Sequence, residues 1–454
     1  MNREETTVAG QDKQQRMSFA SVSGKRVEAT FDGGMLTSDT GAMLLREVES
    51  KIGILCRIVE AITDRRHPSY VDHPSVDLLR QRVFQMACGY EDANDCNALR
   101  SDPGFKAACD RLPVTGANLA SQPTMSRFEN RITRGDLYRI AKAFADAFIA
   151  SYKHPPEAIL LDIDDTEDKV YGSQQLSLFN AYFKGYCYQP LHIYEGQTGK
   201  LITTVLRPGR RPTGKEIVSI LKRVIAYLRH AWPDVKILLR GDSHFSCPEV
   251  HTMCDENDVF FILGQGGNAV LLRLAQPLMD QAKALYADGG KPVRLYRCWD
   301  YQAGSWSSPR RIICKAEVTP QGHNIRFVVT NLNGAQPSFI YKTAYCSRGR
   351  MENFIKNHKT FLHSDRTSCH TFHANHFRLF LHSAAYVLVH ALAHIGLRGT
   401  TWTNAQFNTL QNRILKVAGR VCELKTKITF HLPTAFPLKH LYRTMLYNLG
   451  TAMP

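Results

Sequence analysis

Apolar residues recur at helical spacing in the first third of the chain, between residues 35 and 152. The pattern predicts helices over residues 41–49, 75–88 and 137–148, the first of them capped by Ser38. A helical region of this kind is able to present a helix to the major groove of DNA, and a plain helical bundle explains the pattern equally well.

Short apolar runs replace the helical spacing from residue 158 onwards. Residues 158–161 form a continuous apolar run, which is typical of a strand covered on both faces. The same reasoning predicts further strands at residues 191–194, 201–206, 235–239 and 259–263, and helices at 216–227 and 248–257. Strands that first follow one another and then alternate with helices favour an α/β fold with a mixed sheet.

The pattern changes again after residue 264. Strand-like runs at residues 293–296, 310–314 and 325–330 predict a small β-rich insertion, and helices follow at 345–360 and 377–397. The run from 379 to 397 is about long enough to span a bilayer. It contains three histidines, however, so we interpret it as a buried helix of a protein without a membrane anchor.

The composition excludes several classes of protein and points to a polyanionic partner. With 454 residues, 44% of them hydrophobic, the chain is neither disordered nor a fibrous rod. It has 57 Lys and Arg against 41 Asp and Glu, a net charge of +16, and nucleic acid is favoured over membrane because no basic amphipathic anchor is present. Twelve scattered cysteines without a C-x2-C pair, and a polar start without a signal sequence, predict reduced thiols in the cytoplasm.

An acidic cluster stands out in this basic chain. Five carboxylates lie within seven residues directly after the apolar run 158–161: Asp162, Asp164, Asp165, Glu167 and Asp168. Their mutual repulsion calls for a cation, and hard oxygen ligands suit Mg²⁺ or Mn²⁺. Strand alternation puts Asp162 and Asp164 on one face and Asp165 on the other. An acidic solvated turn is the alternative interpretation.

Two other places in the sequence supply matching groups. Asp242 follows the apolar strand 235–239, so it could share a metal ion with the acidic cluster if the two strands are neighbours. On a continuous helix, Tyr345, Arg348, Glu352 and Lys359 fall within an arc of about 60°. Glu352 could complete a metal site while the two cations hold phosphates, or the four residues could form a solvated face with intrahelical salt bridges.

The spacing Tyr-x2-Arg-x3-Glu-x6-Lys resembles the catalytic-Glu signature of one large group of bacterial insertion-sequence transposases of the DDE class. Residues 164–166 resemble the D-x-T motif of the first Asp in this group, and residues 240–242 resemble its second-Asp region. Other stretches are similar to one subgroup, and the resemblance covers roughly residues 27–400. These stretches are residues 31–34, 89–92, 121–124, 187–190 and 206–209.

The resemblance implies an RNase H-like catalytic core in which Asp164, Asp242 and Glu352 bind two Mg²⁺ or Mn²⁺ ions. Asp162 is open as an alternative first ligand or as an acid behind the ligands. The resemblance also implies that DNA phosphates near the reacting end are bound by Tyr345, Arg348 and Lys359. Residues 207–240 hold nine Lys and Arg against two acids, so we add Arg207, Arg210 and Arg211 to the predicted DNA-binding residues.

The predicted domain organisation follows from pattern and resemblance together. It comprises a disordered tail (1–26), a helical N-terminal DNA-binding region (27–152), the first part of the RNase H-like core (153–265), a β-rich insertion (266–340), the second part of the core with the Glu352 helix (341–400), and a basic C-terminal region (401–454).

The predicted function is metal-dependent cleavage at the ends of an insertion sequence and strand transfer into target DNA, a cut-and-paste reaction. A nuclease on the same fold that cuts without joining is one alternative, and a catalytically inactive DNA-binding regulator is another. The predicted partner is double-stranded DNA, bound by a homodimer in the bacterial cytoplasm at the nucleoid, with no membrane involved.

Two further patterns are assigned to packing. Seven histidines between residues 363 and 394 have spacings that could build a zinc site, but matching Cys or carboxylate partners are missing, so packing or phosphate contacts are favoured. The glycine-rich residues 264–267 are not followed by Lys-Ser/Thr, which argues against a nucleotide site.

Overall fold

The computed structural model describes residues 16–451. Its strands are β1 Met17–Val22, β2 Lys25–Ala29, β3 Leu36–Thr37, β4 Ala158–Asp165, β5 Asp168–Lys169, β6 Leu178–Asn180, β7 Gly185–Tyr188, β8 Leu191–Glu195, β9 Leu201–Val205, β10 Lys236–Gly241, β11 Val259–Gln265, β12 Val293–Tyr301, β13 Arg310–Thr319, β14 Gly322–Thr330, β15 Gly419–Glu423 and β16 Ile428–His431.

The α-helices are α1 Ala42–Ile52, α2 Ile54–Ala61, α3 Ser75–Ala87, α4 Asp95–Leu99, α5 Pro103–Ala108, α6 Gln122–Asn130, α7 Arg134–Ala150, α8 Gly214–Ala231, α9 Pro248–Glu256, α10 Ala269–Gly289, α11 Pro337–Phe339, α12 Gly349–Ile355, α13 Phe372–Ala391, α14 Phe407–Leu410 and α15 Lys439–Leu449. Shorter 3₁₀ turns lie at Pro68–Tyr70, Cys346–Arg348 and Thr401–Asn404, and π-helical turns lie at Ile340–Tyr345, Lys356–Phe361, Leu392–Gly396 and Gln411–Leu415.

An eight-stranded mixed sheet forms the centre of the molecule, in the order β12-β13-β14-β11-β10-β4-β8-β9. Strands β4, β8 and β9 are an antiparallel meander, whereas β10 and β11 lie parallel to β4 on its other side. The helices α8 and α9 are the crossovers that lead into β10 and β11. An antiparallel meander extended by two parallel strands is the RNase H-like arrangement, so the predicted fold class is confirmed.

Strand β4 continues further than the apolar run predicted. It includes Asp162, Asp164 and Asp165, which pair with β8 as regular strand residues. These three acids are therefore strand residues, as the predicted alternation assumed, and the alternative of an acidic solvated turn does not apply to them. The polar side chains are accommodated because cationic side chains from other elements lie beside them.

Helix α8 covers one face of this sheet. It begins with a capping box in which the Thr213 hydroxyl accepts from the Glu216 amide while the Glu216 carboxylate accepts from the Thr213 amide. Its buried residues recur every three or four positions and pack into the core beneath the sheet: Ile217, Leu221, Ile225 and Leu228. The same core is filled from the strands by alternating apolar residues.

The predicted β-rich insertion is not a separate sheet. Strands β12, β13 and β14 form where residues 293–330 predicted them, but β14 pairs antiparallel with β11 and so extends the central sheet. They are preceded by the 21-residue helix α10, which the sequence analysis missed. The Asn268 side chain caps this helix by accepting from the Leu271 amide, and Pro277 lies inside it, which weakens the sequence signal for a helix.

The N-terminal helices, α13 and the C-terminal residues share one hydrophobic core. Strand β15 pairs with β3, and α15 packs against α1, so residues 401–451 are joined to the N-terminal region. The tail predicted over residues 1–26 ends earlier, because β1 and β2 pair as a hairpin; residues 1–15 lie outside the described residues. Ser38 does not cap α1, since its hydroxyl donates to Asp39 instead.

Helix α13 lies at the centre of that shared core. Within residues 16–451, Phe372–Gly396 is a helix long and apolar enough to cross a membrane, but 83% of its most apolar window is buried in the protein. The prediction that this segment is a buried core helix is therefore confirmed. Arg378 on this helix joins Arg82 in a buried ion cluster around Glu129, and both arginines also donate to the Glu91 carbonyl oxygen.

Candidate active site

The acidic strand β4 and the helical segment that follows residue 340 meet at one edge of the central sheet. Arg348 donates from Nη2 to Oδ2 of Asp164 over 2.7 Å, and both side chains are mostly buried. Eleven residues further along the same helical segment, the Lys359 ammonium donates to the Thr166 hydroxyl over 3.3 Å and to the Glu167 carbonyl oxygen. Two residues of the predicted helix motif thus contact the predicted D-x-T segment directly.

Asp164 lies in an unfavourable environment for a carboxylate. Burial raises its pKa, and although Arg348 acts in the opposite direction, repulsion from Asp242 and Asp165 contributes to a pKa of about 7. Asp242 follows β10, the parallel neighbour of β4, and its Oδ1 accepts from the His244 amide over 2.9 Å. The two predicted acids on neighbouring strands are therefore close enough to repel one another.

Asp162 has a different environment from Asp164. It is fully buried, and both of its oxygens accept from the Arg240 guanidinium, each over 2.7 Å. Arg240 also donates to the Ala344 carbonyl oxygen and to the Ser347 hydroxyl. Arg240 therefore links the helical segment to β4, and its guanidinium occupies both carboxylate oxygens of Asp162.

Asp165 points to the other face of β4, as strand alternation predicted. It accepts from Arg207 Nη2 over 2.7 Å and contacts His244 Nδ1 at 3.1 Å. The His244 contact and the Arg207 guanidinium hold the pKa of Asp165 below its ordinary value despite burial, and the same carboxylate raises the pKa of His244. The Nε and Nη1 atoms of the buried Arg207 have no hydrogen-bond partner among the described residues.

The segment from Ile340 to Phe361 is helical but not uniform. A π-helical turn, a 3₁₀ turn, α12 and a second π-helical turn follow one another, so the arc of about 60° expected for a continuous α-helix does not apply unchanged. Glu352 lies on α12, one turn after Arg348, and its side chain is exposed. Within residues 16–451, Glu352 makes no ion pair.

Tyr345 packs against the end of β11 and close to Asp242. Burial raises the pKa of its phenol, and the charge of Asp242 adds to that shift. A Cβ atom at Gly264 would lie 2.7 Å from the Tyr345 hydroxyl oxygen, so only glycine permits this approach. The glycine-rich residues 264–267 thus serve packing at their first position.

A buried cluster of aromatic and histidine side chains holds the helical segment from its other side. His358 is fully buried, and its ring nitrogens contact the Tyr194 hydroxyl at 2.9 Å and the Ser383 hydroxyl at 3.2 Å. Its ring lies 4.8 Å from that of His192 on β8. Burial lowers the pKa of both imidazoles, that of His192 to about 3, so this cluster is neutral. Strand β8 and helix α13 therefore fix the residue next to Lys359.

The predicted DNA-binding arginines differ in exposure. Arg207 is buried against Asp165, whereas Arg210 forms an exposed ion pair with Glu216 over 2.5 Å and Arg211 is exposed. The histidines of residues 363–394 are spread over the core and the surface of α13 and the preceding loop. His382 and His390, for example, are buried and contact the backbone carbonyl oxygens of Leu362 and Thr198.

The donor set fits a divalent cation even though no complete cluster is assembled. Within the described range, no three His, Cys, Asp or Glu side chains are grouped so that they could hold a metal ion. Asp164 and Asp242 nevertheless supply hard oxygen ligands, and their mutual repulsion is the kind that a bound cation offsets. Glu352 is exposed on α12, the helix that begins directly after Arg348.

Comparison with known proteins decides the family. The model of the family described as "Transposase DDE domain group 1" matches residues 19–454. The chain belongs to this family. It is therefore a transposase of the DDE class, a family that generally acts with divalent metal ions on DNA. The resemblance to transposases of the DDE class is confirmed, and the assignment of the Tyr345 to Lys359 signature stays a prediction.

Curated proteins and solved structures were also compared with the chain. No curated protein matches this transposase. Among solved structures it is similar to a piggyBac transposase in a synaptic complex with hairpin DNA, with 11% identity and a TM-score of 0.42 over 84% of this chain and 80% of the other.

Sequence reasoning missed the residues that brace the predicted site of this transposase. Arg240 was noticed only as part of a motif, and His244 was not noticed at all. A cation two residues before Asp242 and a histidine two residues after it were the available signals, but nothing in the sequence indicates that they contact Asp162 and Asp165.

Proposed function

We propose that this transposase cuts DNA at the ends of an insertion sequence and joins the freed ends to target DNA, with Asp164, Asp242 and Glu352 as the ligands of two Mg²⁺ or Mn²⁺ ions. The observation that carries the proposal is the pair of contacts between the helix motif and β4, Arg348 with Asp164 and Lys359 with Thr166. They bring the element that holds Glu352 to the edge of the sheet where the two aspartates lie.

Bound divalent ions would activate the attacking oxygen and stabilise the leaving oxygen of the phosphodiester. The protein groups around them have separate tasks. Asp164 is the proposed first ligand because Asp162 already gives both oxygens to Arg240. Arg348 and Lys359 are cations at the same edge, and when DNA binds they are able to exchange their present partners for phosphate oxygens.

Tyr345 and the arginines after β9 complete the proposed DNA contacts. A phenol is protonated at neutral pH, and burial raises the pKa of Tyr345 further, so its hydroxyl is able to donate a hydrogen bond to phosphate. Arg210 and Arg211 are exposed and suited to binding the DNA backbone further from the cut, while Arg207 keeps Asp165 paired.

The proposal also assigns a role to the N-terminal region and to a second copy of the chain. The helical region 27–152 reads the ends of the element, and two copies of the chain act together on double-stranded DNA in the bacterial cytoplasm at the nucleoid. The proposed domain limits are modified where the hairpin of β1 and β2 shortens the tail and where β12–β14 join the central sheet. They are also modified where α13 and the C-terminal residues share a core with the N-terminal helices.

The proposal is tested by incubating the protein with candidate element-end DNA and Mg²⁺ and scoring nicking and joining separately. We expect Glu352→Gln and Asp242→Asn to lose both activities. The matched control is Glu256→Gln, an exposed acid on α9 whose only ion pair within residues 16–451 is with Lys222 on the surface. Nicking without joining would identify a nuclease, and an active Asp242→Asn protein would refute the assignment of the ligands.

A further inference from the structure

A segment rich in exposed aromatic residues follows the acidic cluster in the chain, and we call it the aromatic arm. We use this name for residues 169–187, which connect β4 to β8 and contain β6, most of β7 and the second residue of β5. The arm begins directly after Asp168, the last residue of the acidic cluster. Its short strands form a three-stranded sheet of their own, in the order β5-β7-β6.

The arm exposes an unusual number of aromatic rings. Tyr171 and Tyr182 are 87% and 86% exposed, and Phe179 and Tyr186 are each 58% exposed. Eleven Phe and Tyr side chains of residues 16–451 are exposed, and these 19 residues hold four of them. Each of these four side chains is more than half exposed, and a concentration of exposed aromatic rings in one short segment is typical of a binding surface.

The arm is positively charged as well as aromatic. It contains Lys169 and Lys184 and not one Asp or Glu, although the five residues of the acidic cluster immediately precede it. Lys169 lies 5.3 Å from the centre of the Tyr171 ring. Aromatic rings interleaved with cations and free of carboxylates are the surface that single-stranded nucleic acid prefers, because bases stack on the rings while the cations bind phosphates.

The arm is fixed to the proposed DNA-binding elements rather than hanging free. The Asn180 side-chain amide donates to the Gly209 carbonyl oxygen over 2.7 Å, next to Arg210. The base of the arm is held by Lys359, through Thr166 and Glu167. The arm is therefore attached at its base to the helical segment that carries both Lys359 and Glu352.

We propose that the aromatic arm stacks on unpaired bases of the DNA strand next to the phosphodiester that is cut. This inference rests on the proposed function and deepens it, since it assigns a surface for single-stranded DNA at the edge of the active site. Continuity with the Lys359 contacts and the absence of carboxylates favour DNA over a second protein chain as the partner.

The test uses two DNA probes of equal length, a forked duplex with an unpaired thymidine arm carrying one 2-aminopurine, and a fully paired duplex. The variants are the double substitution Tyr171→Ala with Tyr182→Ala, and the same two positions changed to Phe. The control is Tyr70→Ala with Tyr447→Ala, two tyrosines that are exposed elsewhere on the molecule. Binding is followed by anisotropy, and stacking by quenching of the 2-aminopurine fluorescence.

We expect the double Ala variant to bind the forked probe at least about tenfold more weakly, to lose the quenching, and to bind the paired duplex almost unchanged. The Phe variant retains the wild-type behaviour because stacking does not need the hydroxyl. Unchanged forked-probe affinity and quenching in the Ala variant, while the wild type still cleaves DNA, would overturn the role of the arm alone.

Two other outcomes also decide against the arm. Equal weakening for both probes, together with a smaller oligomer in sedimentation, would identify the arm as a contact between protein chains. A wild-type protein that neither binds nor cuts either probe or the candidate element-end DNA would remove the proposed function, and the arm proposal with it.

Discussion

Arg348 Nη2 lies 2.7 Å from Asp164 Oδ2, although 184 residues separate the two in the sequence. The contact joins the motif on the helical segment to the motif on β4, and the bond from Lys359 to Thr166 repeats the connection further along the same segment. Both cations sit at the point where a DNA phosphate is expected. In the protein without DNA or metal ions, these two cations partly offset the negative charge of the nearby acids.

Replacing Arg348 separates a DNA-contacting role from a structural one. We expect Arg348→Ala to slow single-turnover cleavage of candidate element-end DNA by about 10²–10³, because a positioned cation near the reacting phosphate is lost. Arg348→Lys recovers only part of the rate, since an ammonium lacks the planar two-point grip of a guanidinium. Arg350→Ala, an exposed arginine on the same helix, is the control, and an equal loss there would contradict the prediction.

Metal binding is predicted to be visible without any reaction. We expect Mn²⁺ to raise the melting temperature of the wild type, by the equivalent of about 2.7 kcal/mol at a concentration a hundredfold above the dissociation constant. Asp164→Asn and Asp242→Asn lose this shift. Without metal, Asp164→Asn is at least as stable as the wild type, because it removes a buried carboxylate whose pKa is raised to about 7.

Differential scanning fluorimetry with and without the ion measures both effects. Glu256→Gln keeps the full shift because this acid lies on the surface of α9. The same Mn²⁺ shift in Asp242→Asn as in the wild type would show that the ion binds elsewhere.

The buried pair of Asp162 and Arg240 is predicted to act on stability. Asp162→Ala leaves the guanidinium unpaired in the core, so we expect the free energy of unfolding to fall by about 3–5 kcal/mol. The double variant Asp162→Leu with Arg240→Met recovers much of this loss, because no charge is then buried. Denaturant titration measures the differences.

The exposed pair of Arg210 and Glu216 is the reference for that measurement. Breaking it with Glu216→Gln is expected to cost about 1 kcal/mol or less, and part of that cost belongs to the capping box of α8. If both pairs gave the same loss, burial of the Asp162 pair would not be the cause of its effect.

Arg207 and Arg211, which both follow β9, are expected to differ in how they affect DNA binding. Arg211 is exposed, so Arg211→Ala should lower the slope of log affinity against log salt by about 0.9 for duplex DNA. Arg207 is buried against Asp165, so Arg207→Ala should lower the melting temperature instead. Fluorescence anisotropy at several salt concentrations measures the slope. Lys283→Ala removes an equal charge from the exposed face of α10 and should leave the slope unchanged.

Acid is predicted to destabilise the protein through its buried neutral histidines. Burial lowers the pKa of His251 to about 4, and its ring stacks on Phe261 at 5.1 Å and against Trp306. The unfolded chain therefore takes up this proton first as the pH falls. The stabilisation is complete above about pH 6.5 and is lost between pH 6.5 and 4, by about 2–3 kcal/mol for this residue.

His251→Phe keeps the stacked ring and removes the proton site. Its free energy of unfolding should therefore fall less steeply than that of the wild type between pH 6.5 and 4, as measured by denaturant titration at fixed pH values. The exposed His440→Phe variant should follow the wild-type curve. Parallel curves for His251→Phe and the wild type would contradict the assignment.

The periodicity of apolar residues was sufficient for most of the core strands. The runs that predicted β8, β9, β10 and β11 are strands, because each is apolar over a short length and bounded by turn residues. The same rule stopped β4 too early, since Asp162 breaks the apolar run although Arg240 compensates its charge in the folded protein. Helix α10 was missed because Pro277 interrupts its pattern.

Candidate residues could be named from residue type and spacing, but their partners could not. Asp164, Asp242 and Glu352 were found through the resemblance of their motifs to those of known transposases. That Asp164 faces Arg348 while Asp165 faces Arg207 depends on which strands become neighbours. The choice between Asp162 and Asp164 as first ligand stayed open in the sequence because both lie on the same face of one strand.

By itself, the sequence determined the class of the protein, the α/β succession of its elements and the residue types able to bind metal and phosphate, because local periodicity and motif spacing are properties of the chain. Only the tertiary structure decided how the pieces combine. It joined the N-terminal and C-terminal residues through α13, extended the central sheet with β12–β14, and fixed the aromatic arm to Gly209. Those arrangements depend on burial and pairing between residues far apart in the sequence, which no local pattern encodes.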